Sequence, residues 1–239
     1  MKIGILQCDH VQEELQPEFG DYPSTFIRLL GEAAPDWEYV VYPVLHGEFP
    51  LSADECDGYI TTGSRYGVND GFPWIDQLVD FVREIDQQEI KFVGICFGHQ
   101  LLAKALGGRV EKSPRGWGVG VSFNHITDRR DWMEPFQPGM DLVVSHQDQV
   151  IELPDNAEIL ASSQFCPNYM VQIADHLLGV QGHPEFSRSY SAALMDRRRD
   201  RISASRIREG MTSLQADVDD RLMIQWIVNF FAGRHTSTQ

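Results

Sequence analysis

Between Lys91 and Gly108 the chain reads KFVGICFGHQLLAKALGG. A short apolar run, Lys91 to Ile95, passes through Gly94-Ile95-Cys96-Phe97-Gly98 straight into a helical pattern. Leu101 to Leu106 lie on that helix, and Gly107-Gly108 stops it. A strand that enters a helix with no loop between them must turn sharply at the join. The helix then packs back along the sheet the strand came from, so the unit belongs to an α/β architecture. The cysteine at the corner has two readings at this point: a buried structural thiol in a tight turn, or a nucleophile.

The rest of the first half repeats the alternation. Lys2 to Gln7 reads as a buried strand. Ser24 then caps a helix whose Phe26, Leu29, Leu30 and Ala33 fall on one face. Glu38 to Val44 and Gly58 to Thr62 read as strands, and Ile75, Leu78, Val82 and Ile85 mark a further helix. Strands and helices in short alternation predict a mostly parallel sheet covered on both faces. The second half changes character. Gly118 to Ile126, Met140 to Ser145, Ile159 to Ser163, Tyr169 to Ile173 and Leu177 to Gln181 are strand-like runs with few helices between them, and they predict antiparallel hairpins added to the sheet. A polar, arginine-rich stretch over 187–216 is helical with unclear ends. The last helix carries the stripe Met223, Trp226, Ile227, Phe230 and Phe231, which is read as core packing. The length of 239 residues fits one large domain over 1–239, with no linker, repeat or boundary inside it.

Charge narrows the partners. A formal net charge of −15 repels phosphate backbones and argues against a general nucleic-acid binder. Arg197 to Arg208, RRRDRISASRIR, holds six arginines against that trend. It reads either as a solvated helical face or as a docking surface for an acidic partner or substrate. The cysteines Cys8, Cys56, Cys96 and Cys166 are scattered, which fits neither a zinc ribbon nor a secreted disulfide scaffold. The N-terminal apolar run is too short for a signal peptide. No apolar run approaches the roughly 18 residues of a membrane span. A cytoplasmic, membrane-free setting is the expectation.

The chemistry of the corner supports the second reading of Cys96. Gly94-x-Cys96-x-Gly98 has the pattern of a nucleophile elbow, with cysteine where hydrolases place serine. Side chains two residues to either side would meet the neighbouring strand and helix. The helix beginning just after Cys96 favours thiolate over thiol. A thiol nucleophile needs a base. Of eight histidines, His183 stands out, in Gly182-His183-Pro184-Glu185 directly after the strand-like run LLGVQ. Glu185, two residues on in extended backbone, falls on the same side and is suited to orient the imidazole.

GICFGHQ together with GVQGHPEF resembles the class I glutamine amidotransferases, whose triad is Cys-His-Glu in this chain order, and the resemblance spans nearly the whole chain. It implies a flavodoxin-like open sheet. It implies that Cys96 attacks the side-chain amide of glutamine, that His183 serves as base and then acid, and that Glu185 orients His183. It places Gln100 at the amino-acid end of the substrate. VVSHQDQV is similar to the SHGD-type segment of the guanylate-synthesising branch, which adds Ser145, Gln147 and Asp148 as substrate contacts. The oxyanion hole falls to the amides of Phe97 and Ser64, in a turn that begins at Gly63. Synthetase-linked members carry two glycines and a proline where this chain has Gly63-Ser64-Arg65. That departure makes the chain more similar to the stand-alone branch, which includes γ-glutamyl peptidases.

The resemblance implies hydrolysis of the γ-amide of glutamine or of γ-glutamyl compounds with no cofactor. The alternatives are a glutaminase subunit feeding ammonia to a separate synthetase, and a silent binding module of the same fold. No P-loop pattern is present. His99 is read as structural. His146 and Asp148 have ligand chemistry but lack a metal-site spacing, so no metal is expected. Tyr66, Phe72, Trp74, Trp117 and Phe165 are candidates for the wall that selects the leaving group, with core packing as the equal alternative.

Overall fold

A computed structural model describes residues 1–233; residues 234–239, the end of the expected domain, lie outside the described residues. The strands are β1 (Lys2–Leu6), β2 (Glu38–Tyr42), β3 (Gly58–Thr61), β4 (Lys91–Ile95), β5 (Arg109–Lys112), β6 (Gly118–Ser122), β7 (His125–Ile126), β8 (Leu142–His146), β9 (Asp148–Glu152), β10 (Ala157–Ser162), β11 (Met170–Ile173) and β12 (Leu177–Val180). The helices are α1 (Gln16–Phe19), α2 (Tyr22–Ala33), α3 (Pro73–Gln87), α4 (Phe97–Ala105), α5 (Arg188–Arg197), α6 (Ala204–Ser213) and α7 (Asp220–Ala232). Among the described residues one large sheet runs in the order β2-β1-β3-β4-β12-β11-β10-β7. From β2 to β12 each neighbouring pair is parallel, and β11, β10 and β7 continue antiparallel. This is the expected α/β class: an open, mostly parallel sheet flanked by helices, with antiparallel strands from the second half.

Side-chain alternation divides the core into two layers. Ile3, Ile5, Ile60, Val93 and Ile95 face α2 and α7, where they meet Phe26, Leu30, Met223, Trp226 and Phe230. Leu6, Tyr59 and Phe92 point to the opposite face, against Leu78 and Val82 of α3 and Leu101 of α4. The central strands are therefore buried on both sides, which is why they read as continuous apolar runs. A third cluster lies apart from both layers and joins Val119, Val143, Phe186, Tyr190 and Leu194.

Several expectations need correction. The 118–126 run is two elements. Gly118–Ser122 pairs antiparallel with β8 in a ribbon separate from the sheet, whereas His125–Ile126 joins the sheet edge beside β10. Asn124 sits at the change: its side chain donates to the carbonyls of Ser122 and Met140, and this fixes the chain where it crosses over. A second ribbon, β5 with β9, has no counterpart in the sequence-based expectation. The cap of α2 is Asp21, whose carboxylate accepts from the Tyr22 amide; Ser24, expected as the cap, is the third helical residue and completes the capping box.

The α7 layer should dominate stability. Trp226 is fully buried, and its indole Nε1 donates to the Pro135 carbonyl at 3.0 Å. Trp226→Ala should lower the unfolding free energy by about 3–5 kcal/mol. The loss should appear as a lower urea midpoint at unchanged slope; a change below about 1 kcal/mol would contradict this packing.

Candidate active site

The corner at the end of β4 is strained. Cys96 has φ 50° and ψ −92°, a region that L-residues avoid, at a cost of about 1–3 kcal/mol. The two glycines make the turn possible. A Cβ on Gly94 would run into the Gly98 backbone, and one on Gly98 would run into the Thr61 side chain. Thr61 also accepts a hydrogen bond from the Ile95 amide at 3.1 Å, which ties β3 to the corner. Helix α4 thus starts against the sheet, with Cys96 as its N-cap residue.

His183 arrives from the other side of the sheet's end. Its amide donates to the Val143 carbonyl at 2.8 Å, so the turn after β12 is tied to β8. The imidazole Nδ1–H donates to Glu185 Oε1 at 2.7 Å, and both side chains are buried. This leaves Nε2 for Cys96, whose sulfur is an electrostatic neighbour of the ring. Burial by itself would push the imidazole toward neutrality, but the Glu185 carboxylate and the Cys96 sulfur outweigh it and hold His183 above its ordinary value. The ring is clamped in place. Phe186 stacks on it with centroids 3.8 Å apart and planes 11° from parallel. Gly63 closes the other side, where a Cβ would stand 2.7 Å from His183 Cε1. Gly63, expected to contact substrate, packs on the imidazole and is not part of the cleft lining.

The turn after β3 is held by the end of β1. The Cys8 amide donates to Thr62 Oγ1 at 2.9 Å, and Ser64 Oγ donates to the Cys8 carbonyl at 3.1 Å. The buried Asp9 carboxylate accepts from the Arg65 amide and from Arg65 Nε, each at 2.8 Å. Ser64 and Phe97 both line the cleft at Cys96. The Phe97 amide, first in α4, has no carbonyl one turn back to serve. Two fixed amides beside a thiol match what an oxyanion hole requires.

The cleft has a volume of about 370 Å³. Gln100, Ser145, Gln147 and Asp148 line it, as do Tyr66 and Trp117; Phe72, Trp74 and Phe165 do not. Gln100 Nε2 donates to the Asp148 carbonyl at 2.8 Å and to Gln181 Oε1 at 3.1 Å, while Gln181 Nε2 donates to Cys96 Sγ at 3.4 Å. Asp148 Oδ1 is buried and has no hydrogen-bond partner, and burial raises the carboxyl above its ordinary value. His99 and His146 are buried and pushed down to about 3 and about 4 by desolvation, so both are neutral supports at pH 7. No group of three metal-ligating side chains converges among the described residues.

Arg65, Asp70 and Lys112, which carry no sequence-based expectation as cleft residues, also line the cleft, as do Arg198 and Arg201 of the arginine run. Arg198 Nη1 donates to Ser145 Oγ at 2.8 Å. Nothing in the pattern of the arginine run separates Arg198 from its solvated neighbours.

With this geometry in place, comparison with known proteins is specific. The family model for class-I glutamine amidotransferases matches residues 48–197. The chain is 33% identical over 186 residues to gamma-glutamyl peptidase 4 of Arabidopsis thaliana, covering 75% of this chain and 73% of that one. It is 39% identical over 132 residues to a glutamine-hydrolysing GMP synthase of Synechocystis, covering 54% of this chain but 23% of the synthase. A solved glutamine amidotransferase from Thermotoga maritima superimposes with a TM-score of 0.73 at 20% identity, over 99% of each chain, and supports the fold. The chain belongs to the class-I glutamine amidotransferase family. No helix among the described residues is long and apolar enough to cross a membrane.

The clamp and the ion pair can each be tested without a substrate. Glu185→Gln removes the charge that holds the imidazolium proton, so His183 should deprotonate at lower pH in an NMR histidine titration. An unshifted titration would show that Glu185 does not set it. The Gly63 backbone lies outside the left-handed region, so Gly63→Ala is locally tolerated and acts through the ring. Displacing the imidazole from Cys96 should slow alkylation of this thiol by iodoacetamide about 10-fold or more at pH 7; an unchanged rate would mean that the ring is free to move.

Proposed function

We propose that the chain is a thiol hydrolase of γ-glutamyl amide bonds. The observation that carries this reading is that Cys96 lines one cleft with Ser64 and Phe97, while the buried His183–Glu185 pair acts on the Cys96 sulfur from beside it. The Cys96 thiolate attacks the γ-carbonyl carbon, a C–S bond forms, and the carbonyl electron pair moves to an oxygen facing the two amides. The tetrahedral centre collapses as His183 delivers a proton to the departing nitrogen, and a γ-glutamyl thioester remains. Water then gives a proton to His183 and attacks the thioester carbon, releasing glutamate and restoring the thiolate. At the amino-acid end, the unpartnered oxygen of Asp148 suits the substrate's ammonium group. Gln100, Ser145 and Gln147 complete this contact set. No step needs a cofactor.

A second reading follows from the likeness to GMP synthase: a glutaminase that releases ammonia only beside a separate synthetase. The two are separated by one assay. Purified protein given glutamine or a γ-glutamyl dipeptide should release glutamate unaided, and Cys96→Ala should abolish release from both. Near silence without a partner would favour the synthetase-coupled reading. Turnover retained in Cys96→Ala would remove the mechanism, and failure of Cys96 to react with a glutamine-like electrophile would point to a silent binding module.

A further inference from the structure

Gln181 touches the reacting sulfur, yet none of the steps above gives it a task. It follows β12 directly, and β12 runs parallel to β4 with Val180 opposite Ile95. The Cys96 amide donates to the Val180 carbonyl at 2.8 Å, so the residue after Val180 is held beside the corner. The Gln181 main-chain amide donates in turn to the Tyr169 carbonyl at 2.9 Å, and the side chain is fully buried. Its Nε2 lies 3.4 Å from Cys96 Sγ, and its Oε1 accepts from Gln100 Nε2 at 3.1 Å. The end of this amide that faces the sulfur decides the chemistry there. Nitrogen at that point donates, whereas oxygen accepts.

The network allows one orientation. Gln100 Nε2 also donates to the Asp148 main-chain carbonyl at 2.8 Å. A carbonyl only accepts, so Gln100 turns its nitrogen to that point. The same nitrogen reaches Gln181, which answers with its oxygen. This leaves the Gln181 N–H facing the sulfur. Turned the other way, Gln181 would set nitrogen against nitrogen at Gln100 in a buried site, and two polar groups would lose their partners. A thiol offers an N–H only a weak acceptor, whereas a thiolate offers a full charge, and such bonds are roughly twice as strong. The fixed donor therefore favours the ionised sulfur; an oxygen in its place would favour the protonated one. We propose that Gln181 stabilises the Cys96 thiolate and that Gln100 sets its orientation, so that the Asp148 carbonyl and the nucleophile are joined through two side-chain amides. The assignment takes from the hydrolase reading only that the sulfur acts as a thiolate. Other ionisable groups face the sulfur: His183 after β12, Cys166 and Tyr169 before β11, and Arg198 after α5. Burial pushes the Cys166 thiol up to about 12 and the Tyr169 phenol well above its ordinary value, so both are neutral at pH 7. Arg65, Asp70, Lys112, Asp148 and Arg201 share the cleft. Exchange of Gln181 removes none of these charges.

The test follows the ultraviolet absorbance of the thiolate against pH, taken as the difference between each protein and its Cys96→Ala counterpart. It needs no substrate. Gln181→Met has nearly the same length and no donor. It should move the half-point of the thiolate signal upward by about 1–2 pH units. Gln100→Met does not touch the sulfur, yet it frees the Gln181 amide to turn. It should therefore move the half-point in the same direction by less, and the double variant should match Gln181→Met rather than add to it. An unmoved half-point in Gln181→Met overturns the proposal, and a lower urea midpoint beside that result marks a packing role alone. A shift in Gln181→Met with none in Gln100→Met overturns the link through Gln100. Should Gln181→Met fail to fold, Gln100→Met decides by the same measure, and an unmoved half-point there overturns the proposal. On the active chain, the acid limb of kcat/KM against pH should move with the thiolate signal. Absence of turnover with the thiolate shifts intact would remove the hydrolase reading and keep the assignment of Gln181.

Discussion

The near-contact of helix α4 with the sheet at Cys96 is the constraint on which the rest of the structure depends. The sulfur reaches the end of the sheet only because the backbone accepts φ 50° at Cys96, and that angle persists only because Gly94 and Gly98 let helix and strand approach. The strain of about 1–3 kcal/mol is small beside the burial around it. Phe97, Leu101 and Leu102 are anchored in the layer on one face of the sheet, and Ile95 in the layer on the other. The corner is overdetermined by packing on both sides, so thiol and amide are held ready without reorganisation.

The partners of the corner come from chain segments far apart in sequence, and each is fixed by contacts at the ends of strands. Ser64 is placed by the Cys8 carbonyl and the Asp9–Arg65 pair, at the ends of β1 and β3. His183 is placed by the bond to Val143, which belongs to a ribbon outside the main sheet. The β6–β8 ribbon therefore has a clear role: it gives the turn after β12 a second anchor and, through Ser145, a bond to Arg198. Positioning by strand ends suits ligands, because open α/β sheets present their loops at that edge.

This division explains what the sequence made legible. The strands β1, β3, β4 and β12 are buried on both faces, so their apolar runs could be read directly, as could the short motifs carrying Cys96, His183 and Glu185. The ribbon strands RVEK and DQVIE bury one residue or a few, with exposed charges beside them, and no period stands out. The run from Gly118 to Ile126 is apolar enough for one strand; its division depends on Asn124 meeting carbonyls from two places, which no local pattern contains. Gly63 could be seen as a turn glycine, yet its reason is the distant imidazole ring. Arg198 is the extreme case, since its run is shared by residues that do pair in solvent, and the fold alone distinguishes it.

The placement of charge gives the cleft a character opposite to that of the whole molecule. A chain of net charge −15 repels small anions at long range. Arg65, Lys112, Arg198 and Arg201 line the cleft beside Asp70 and Asp148. Arg65 is engaged by Asp9, and Arg201 lies 3.8 Å from Asp200. At physiological ionic strength the outer repulsion fades over about 8 Å, whereas contacts between partly desolvated groups are screened far less. A small anionic or zwitterionic ligand therefore gains little from diffusional steering and much from the final contacts. Selectivity in such a cleft resides in which charge meets which wall: Asp148 Oδ1 is without a partner, and Arg198 is bonded to Ser145. Both residues line the cleft that also holds Cys96 at its strained corner.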